Sequence, residues 1–475
     1  MKKIFFVIVF FTFSYVGAGQ VTELTGYAPQ FSDSYLLLQE IENPISGSSR
    51  VTDTLFIQED GTFNQKIKIS KATWLYVLTG LFKIYIYVEP NTGYEIELPP
   101  KTKKSQSNIR NPFFKPMLAH IKVNRVYNIS DTTNTIEDIN TKIFSFDTLL
   151  AKKNQELRMA RSQQKAFDTD SLIFALEDIF KHDTNRYFKD YRYYRYGIIK
   201  INSRDTRLKD IYDKYLAFDR PKLDNPAFMD LFGEMYKDFI FYYSRTEEGE
   251  GINYLINALH QYDSLKTRLI EHEAVPDEEY AELVILKEIS DTYFKNYNKK
   301  EALLMILDSI NMHSSFPEHQ RIAKMIKEHL IRLKKGNFPP GFNLPDMDNQ
   351  YKTLDDFKGK YVYLSFCTTD NYSCLMEFPF LKVLHNQHKD HLQIVTIIVA
   401  EDIMDMQEFM IRNGYNWTSL FYDDNEELLR DYDIRAYPTN FLIGPEGKLI
   451  QSPAILATEG FEQQLFRIMR ARGDL

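Results

Sequence analysis

Cysteine is almost missing from this chain: two residues in 475, Cys367 and Cys374. One internal disulfide is the most they can form, which excludes a cross-linked scaffold and leaves packing to hold the fold. Positive charge is short as well. Lys and Arg number 58 against 66 Asp and Glu, giving a formal charge of −8 and a pI near 5.8. That balance excludes the electrostatic footprint of a nucleic-acid binder and offers no polybasic patch to a membrane. The ten histidines show neither Cys/His pairing nor His-Glu-x-x-His spacing, so there is no zinc signature, and no metal or cofactor is expected. Past Phe13 the only greasy stretch is Trp74 to Val88, interrupted by Gly80 and Lys83, and it reads as a β-hairpin. Aromatics are plentiful, with 31 Tyr and 35 Phe. They speak first of packing and second of sugar or peptide surfaces.

What is present begins with Met1-Lys2-Lys3, an apolar run from Ile4 to Phe13, and small residues ending at Ala18. This has the parts of a secretory signal peptide over residues 1–18, the run being too short for a membrane span of about 20 residues. No cysteine follows the cut to carry a lipid. The mature chain is therefore expected to be exported to the periplasm or cell envelope, with no transmembrane anchor left after cleavage.

Residues 19–105 alternate apolar and polar in short runs, among them Ser34 to Gln39, Thr54 to Ile57, Phe63 to Ile69, Lys83 to Val88 and Tyr94 to Leu98. Period-two runs between turn signals predict an N-terminal β-sandwich. Pro99-Pro100 and the polar Lys101 to Asn108 read as a linker. From 106 to 335 the period becomes helical. Pro276 to Phe294 shows the logic, with proline and acids opening a segment in which Tyr280, Leu283, Val284, Ile289 and Tyr293 recur at helical steps, predicting an amphipathic helix. The stretch Asn185 to Tyr196 interleaves Tyr with Arg and Lys, a pattern that serves strand binding in some proteins. Packing is the stronger reading, because Tyr187, Tyr191 and Tyr194 share one helix face.

After Gly336 the pattern changes again. Phe342 to Asp346, Leu354 to Lys360 and the strand Tyr361 to Phe366 lead into Cys367-Thr-Thr-Asp-Asn371-Tyr-Ser-Cys374-Leu-Met-Glu377-Phe-Pro379. Leu392 to Ala400, Tyr432 to Ile443 with Pro438, and Gly444 to Ile450 follow. Residues 336–475 resemble the exported TlpA/ResA branch of the thioredoxin-like, AhpC/TSA-related superfamily. The resemblance implies a C-terminal α/β thioredoxin-like domain and so a multidomain chain, with the β-sandwich and the α-helical middle region ahead of it. In that family the first cysteine of a Cys-x-x-Cys motif opens a helix, whose amides lower its pKa for attack on a disulfide. The second cysteine resolves the mixed disulfide.

Carried over residue by residue, Cys374 matches the second cysteine, Glu377 the glutamate that tunes the pair, Pro379 the helix proline, and Pro438 the cis-proline of the substrate groove. Asn371, Tyr437 and Pro438 are the implied groove residues, and Cys374, Cys367 and Glu377 the implied catalytic ones. The departures matter as much. Asn371 stands where the attacking thiol belongs, Asp370 replaces an aromatic residue, Cys367 a tryptophan, and Ser365 a buried polar or acidic residue. A carboxamide cannot attack a disulfide. Three readings remain open: a non-standard Cys367/Cys374 redox pair; Cys374 as a lone, peroxiredoxin-like nucleophile; or a binding or assembly module that keeps the groove and has lost the thiol chemistry. A protein or peptide partner in the envelope is expected, and no nucleic acid.

Overall fold

The computed structural model describes residues 20–128, 138–163, 168–203, 206–217 and 220–474. The signal-peptide reading of residues 1–18 lies outside them. Alternation is visible at once in β4 (Thr62–Ile69), where Phe63, Ile67 and Ile69 turn inward and their neighbours outward, as a half-buried strand requires. With β1 (Gln20–Tyr27), β7 (Thr92–Glu97) and β9 (Lys122–Asn128) it forms a sheet of order β4-β1-β7-β9. A second sheet, of order β3-β2-β5-β6-β8, contains β2 (Ser34–Asn43), β3 (Ser48–Ile57), β5 (Thr73–Leu78), β6 (Phe82–Val88) and β8 (Met117–His120). Leu24, Ile67 and Tyr94 of the first sheet share one core with Leu38, Leu75 and Ile86 of the second.

β8 and β9 fall where the sequence pattern suggests helix. They are short edge strands with partly exposed residues, so their period carries little signal, and pairing with β6 and β7 decides them. The outer face of β5 and β6 is aromatic. Trp74 and Tyr85 pack at a tilt of 60° with ring centroids 5.0 Å apart, and Lys83 lies 3.6 Å over the Tyr76 ring. Tyr87 packs edge-on against Tyr187 and Tyr191 of the helix Arg186–Ser203. One sheet therefore serves two cores.

The helical region surrounds the helix Glu278–Thr292, which is buried on nearly every side where its spacing suggests an amphipathic face. Other helices cover the side left polar in the sequence. Its interior Glu282 is kept by partners, accepting from Ser314 Oγ at 2.5 Å and meeting His319 Nδ1 at 2.9 Å, as a buried carboxylate must. In the aromatic and basic helix, Phe188, Tyr191, Arg192, Tyr194 and Tyr196 are all buried, and the Arg192 guanidinium lies 4.8 Å over the Phe188 ring. Those residues are used for packing.

The third core is built on a sheet of order β14-β13-β12-β15-β16, beside a small β10-β11 hairpin (Asn343–Pro345 and Tyr351–Thr353). All eight residues of β12 (Tyr361–Thr368) are buried, which is what a central strand covered on both faces shows. β13 (Leu392–Val399) and β14 (Thr418–Phe421) run parallel to it and its partner, while β15 (Thr439–Ile443) and β16 (Leu449–Ala454) return antiparallel. This is the thioredoxin-like arrangement. Residues 101–108 are not a free linker. Thr102 bridges to Gly80, Lys104 is buried, and Ile109 belongs to the C-terminal core.

At the junction of the helix Pro317–Ile331 with the C-terminal domain, His329 Nδ1 lies 2.8 Å from Arg332, which also bonds Asp431 at 2.8 Å. Burial and the adjacent Arg332 charge hold this imidazole down to about 4 from 6.5. The folded state thus keeps it neutral while the unfolded chain takes up the proton, so its share of stability is complete above about 6.5 and is lost as pH falls toward about 4. The thermal unfolding midpoint should drop across that window and drop less in His329→Gln; an identical slope in the variant would exclude the assignment.

Candidate functional site

β12 ends in Cys367-Thr368, a three-residue loop follows, and Asn371 caps the helix Tyr372–His388. The first amides of a helix have no partner within it and need an outside acceptor. Asn371 supplies one: its carboxamide oxygen accepts from Ser373 N–H at 2.9 Å and from Cys374 N–H at 3.3 Å. Asparagine is among the best residues for this task, worth about 1 kcal/mol over alanine. At the position where the family resemblance puts the attacking thiol, the chain has a helix cap whose carboxamide bonds the Ser373 and Cys374 amides.

The loop folds back on itself. Thr368 Oγ1 accepts from Asn371 N–H at 3.2 Å and bonds Asp370 at 3.1 Å, while Thr368 N–H donates to Cys374 Sγ at 3.4 Å. This turn brings the two sulfurs together. Cys367 and Cys374 are both free thiols with no exposed surface. Burial pushes the Cys367 thiol well above its usual range, and its hydrogen bond with Cys374 and the charges of Cys374 and Glu377 push the same way. Ser365 Oγ, 3.4 Å from Cys367 Sγ, opposes them. A thiol held protonated is a poor nucleophile.

Glu377 lies one turn further along the helix, buried. Its carboxylate accepts from Ala457 N–H at 2.6 Å, from Thr458 N–H at 3.2 Å and from Thr458 Oγ1 at 2.5 Å, so it pins the turn after β16 beneath the cysteines. The Tyr437–Pro438 peptide bond is cis. The buried Tyr437 hydroxyl has no hydrogen-bond partner, and its phenol is pushed up by burial first and then by the Cys374 charge. Cys367, Cys374, Glu377 and Tyr437 thus share one electrostatic neighbourhood, with Asn371 at its outer edge and Pro438 next in the chain. Among the described residues, no three His, Cys, Asp or Glu side chains converge to hold a metal ion.

Some members of this neighbourhood carry no signal in the sequence. Thr368 looks like an ordinary strand end, and its role emerges only when the loop closes. Lys104, Ile109 and Arg110 lie more than 250 positions away; Arg110 Nε bonds Asp370 Oδ2 at 2.7 Å, directly beside the cap.

Residues 336–452 match the AhpC/TSA family. The thiol-disulfide oxidoreductase ResA of Bacillus subtilis (strain 168) is 30% identical over 139 residues, covering 29% of this chain and 77% of the relative. The thioredoxin-like protein YneN of the same organism is 25% identical over 118 residues, 25% of this chain and 69% of the relative. Among solved structures, the thioredoxin domain of a thiol-disulfide oxidoreductase from Bacteroides vulgatus aligns with 25% identity over 28% of this chain and 95% of that one, at a TM-score of 0.26. Through its C-terminal domain, the chain belongs to the TlpA/ResA-like family of thioredoxin-fold proteins.

Proposed function

We propose that the C-terminal domain is a peptide- or protein-binding or assembly module of the cell envelope, descended from thiol-disulfide oxidoreductases and with weak or no reductase activity of the two-cysteine kind. One observation carries this reading: Asn371 caps the helix at the position of the attacking thiol. The burial of both sulfurs supports it, since an incoming disulfide must reach a sulfur before exchange can start. Asn371, Tyr437 and Pro438 then mark a groove used for binding. The β-sandwich and the helical region position this domain. The segment over residues 1–18 directs export, and among the described residues no helix is long and apolar enough to cross a membrane.

Restoring the missing thiol tests the reading. Asn371→Cys recreates Cys-x-x-Cys at a helix start and frees the capping amides for a thiolate. Insulin-disulfide reduction with dithiothreitol should stay near background for the natural chain and rise about tenfold or more in the variant. A natural chain already as fast as the variant would refute the binding-module reading.

A second reading, a Cys367/Cys374 redox pair, is favoured by the interaction between the two thiols. In it the two thiols would pass two protons and two electrons to a substrate disulfide, leaving an internal disulfide and a substrate dithiol. Acid-trapped, denatured protein purified without reductant should titrate two thiols per chain under the first reading and none under the second. Cys374→Ser should change insulin reduction only under the second.

A further inference from the structure

The carboxyl ends of the three parallel strands β12, β13 and β14 are the usual ligand side of an open α/β sheet. Here they carry acids. Asp370 follows β12, Glu401 and Asp402 follow β13, and Asp423, Asp424 and Glu426 follow β14. Facing them is a stretch of this chain with no acid at all, Lys101 to Pro116. Four of its five cations meet the rim. Lys101 acts on Asp423, and Lys103 Nζ lies 3.0 Å from Glu401 and 3.8 Å from Asp402. Lys104 Nζ bonds Asp424 at 2.8 Å, the Tyr422 hydroxyl at 2.9 Å, and Glu426. Arg110 pairs with Asp370, next to the cap.

Charge alone would make this a surface pairing of small worth. Two further features make it a seated ligand. Lys104 is only 7% exposed, so its ammonium is enclosed by its partners, and Ile109, at 5%, belongs to the core of the C-terminal domain. The short helix Gln106–Ile109, capped by Ser105, carries the chain from one anchor to the other. The fit is also incomplete. A cavity of about 460 Å³ remains between Phe113, Phe114 and Ile109 on one side and Val399, Tyr422 and Ile434 on the other. In its lining, Glu426 keeps one buried carboxylate oxygen with no hydrogen-bond partner. An occupant that leaves space and a polar atom unmet is displaceable.

We propose that the acidic rim beside the Asn371 cap is a binding site for basic peptides carrying an aliphatic anchor, and that residues 101–110 of this chain are its resident occupant. The proposal rests on the binding-module reading and names that module's ligand class. An external peptide enters by displacing a segment already tethered at a local concentration of order millimolar. Charge complementarity sets both the choice of ligand and its sensitivity to salt.

The test uses a fluorescein-labelled synthetic peptide of residues 101–116 and the full mature chain, read by fluorescence anisotropy. Lys104→Gln/Arg110→Gln loosens the resident segment and leaves the rim intact; the peptide should bind this variant at least about tenfold more tightly than it binds the natural chain. Neutralising the rim in the same background with Asp424→Asn/Glu426→Gln, or raising NaCl tenfold, should remove the gain. Ile109→Ala, which keeps every charge, serves as a second opened form, and a thermal melt confirms that each variant is folded. Equal affinity for the natural and both opened chains, or no binding to any, overturns the proposal. Insulin reduction is followed on the same samples. Turnover by the natural chain would sink the binding-module reading, whereas absent peptide binding without turnover sinks the occupant alone.

Discussion

Unbonded amides at the start of a helix must find an acceptor, and in this protein the acceptor is the Asn371 carboxamide. The proposed chemistry of the C-terminal domain rests on that cap. A cysteine there would leave the amides free to stabilise a thiolate; an asparagine holds them and offers no sulfur. The two thiols lie on either side of the folded-back loop, Cys367 at the end of β12 and Cys374 in the first turn of the helix, and burial pushes the Cys367 thiol toward its protonated form. Strand, loop and helix belong to the thioredoxin-like fold, with a carboxamide at the start of the helix.

The rest of the molecule is arranged around the same end of the domain. The outer face of β5 and β6 holds an aromatic cluster that packs on the helical region through Trp74 and Tyr87. The same face comes near the C-terminal domain at Lys83, whose amine is lowered to about 8 by burial first and then by Arg430. Turning this part of the sheet away from either neighbour would expose aromatic area. Lys101 to Arg110 leave the sandwich and reach the acidic rim within this frame. Burying the Lys104 ammonium is tolerable only with its partners present, since leaving a buried charge unpaired costs about 3–5 kcal/mol.

Much of this was legible in the residues. Alternation in Phe63 to Ile69 marked a strand with one buried face, and Tyr361 to Phe366 was read as a strand. The helical steps through Tyr280 to Tyr293 marked a helix but misjudged its surroundings, because periodicity reports which face is apolar and not whether other helices cover the polar one. The strands at 117–128 were missed because edge strands depend on pairing more than on their own pattern. Lys101 to Asn108 read as a linker because polarity was the only local signal, and the carboxylates that receive it lie some 300 positions further on.

For the site, the sequence by itself determined which side chains stand in the frame: Asn371, Cys374, Glu377, Pro379 and Pro438, with a carboxamide at the place where the family resemblance puts the attacking thiol. Only the tertiary structure decided what those side chains bond. It turned the carboxamide onto the Ser373 and Cys374 amides, closed Thr368 over Cys374 and tied Glu377 to the turn at Ala457. It also laid a basic segment across an acidic rim. Residue identity is a local property that a sequence carries in full, whereas burial and pairing between distant segments exist only once the chain has closed on itself.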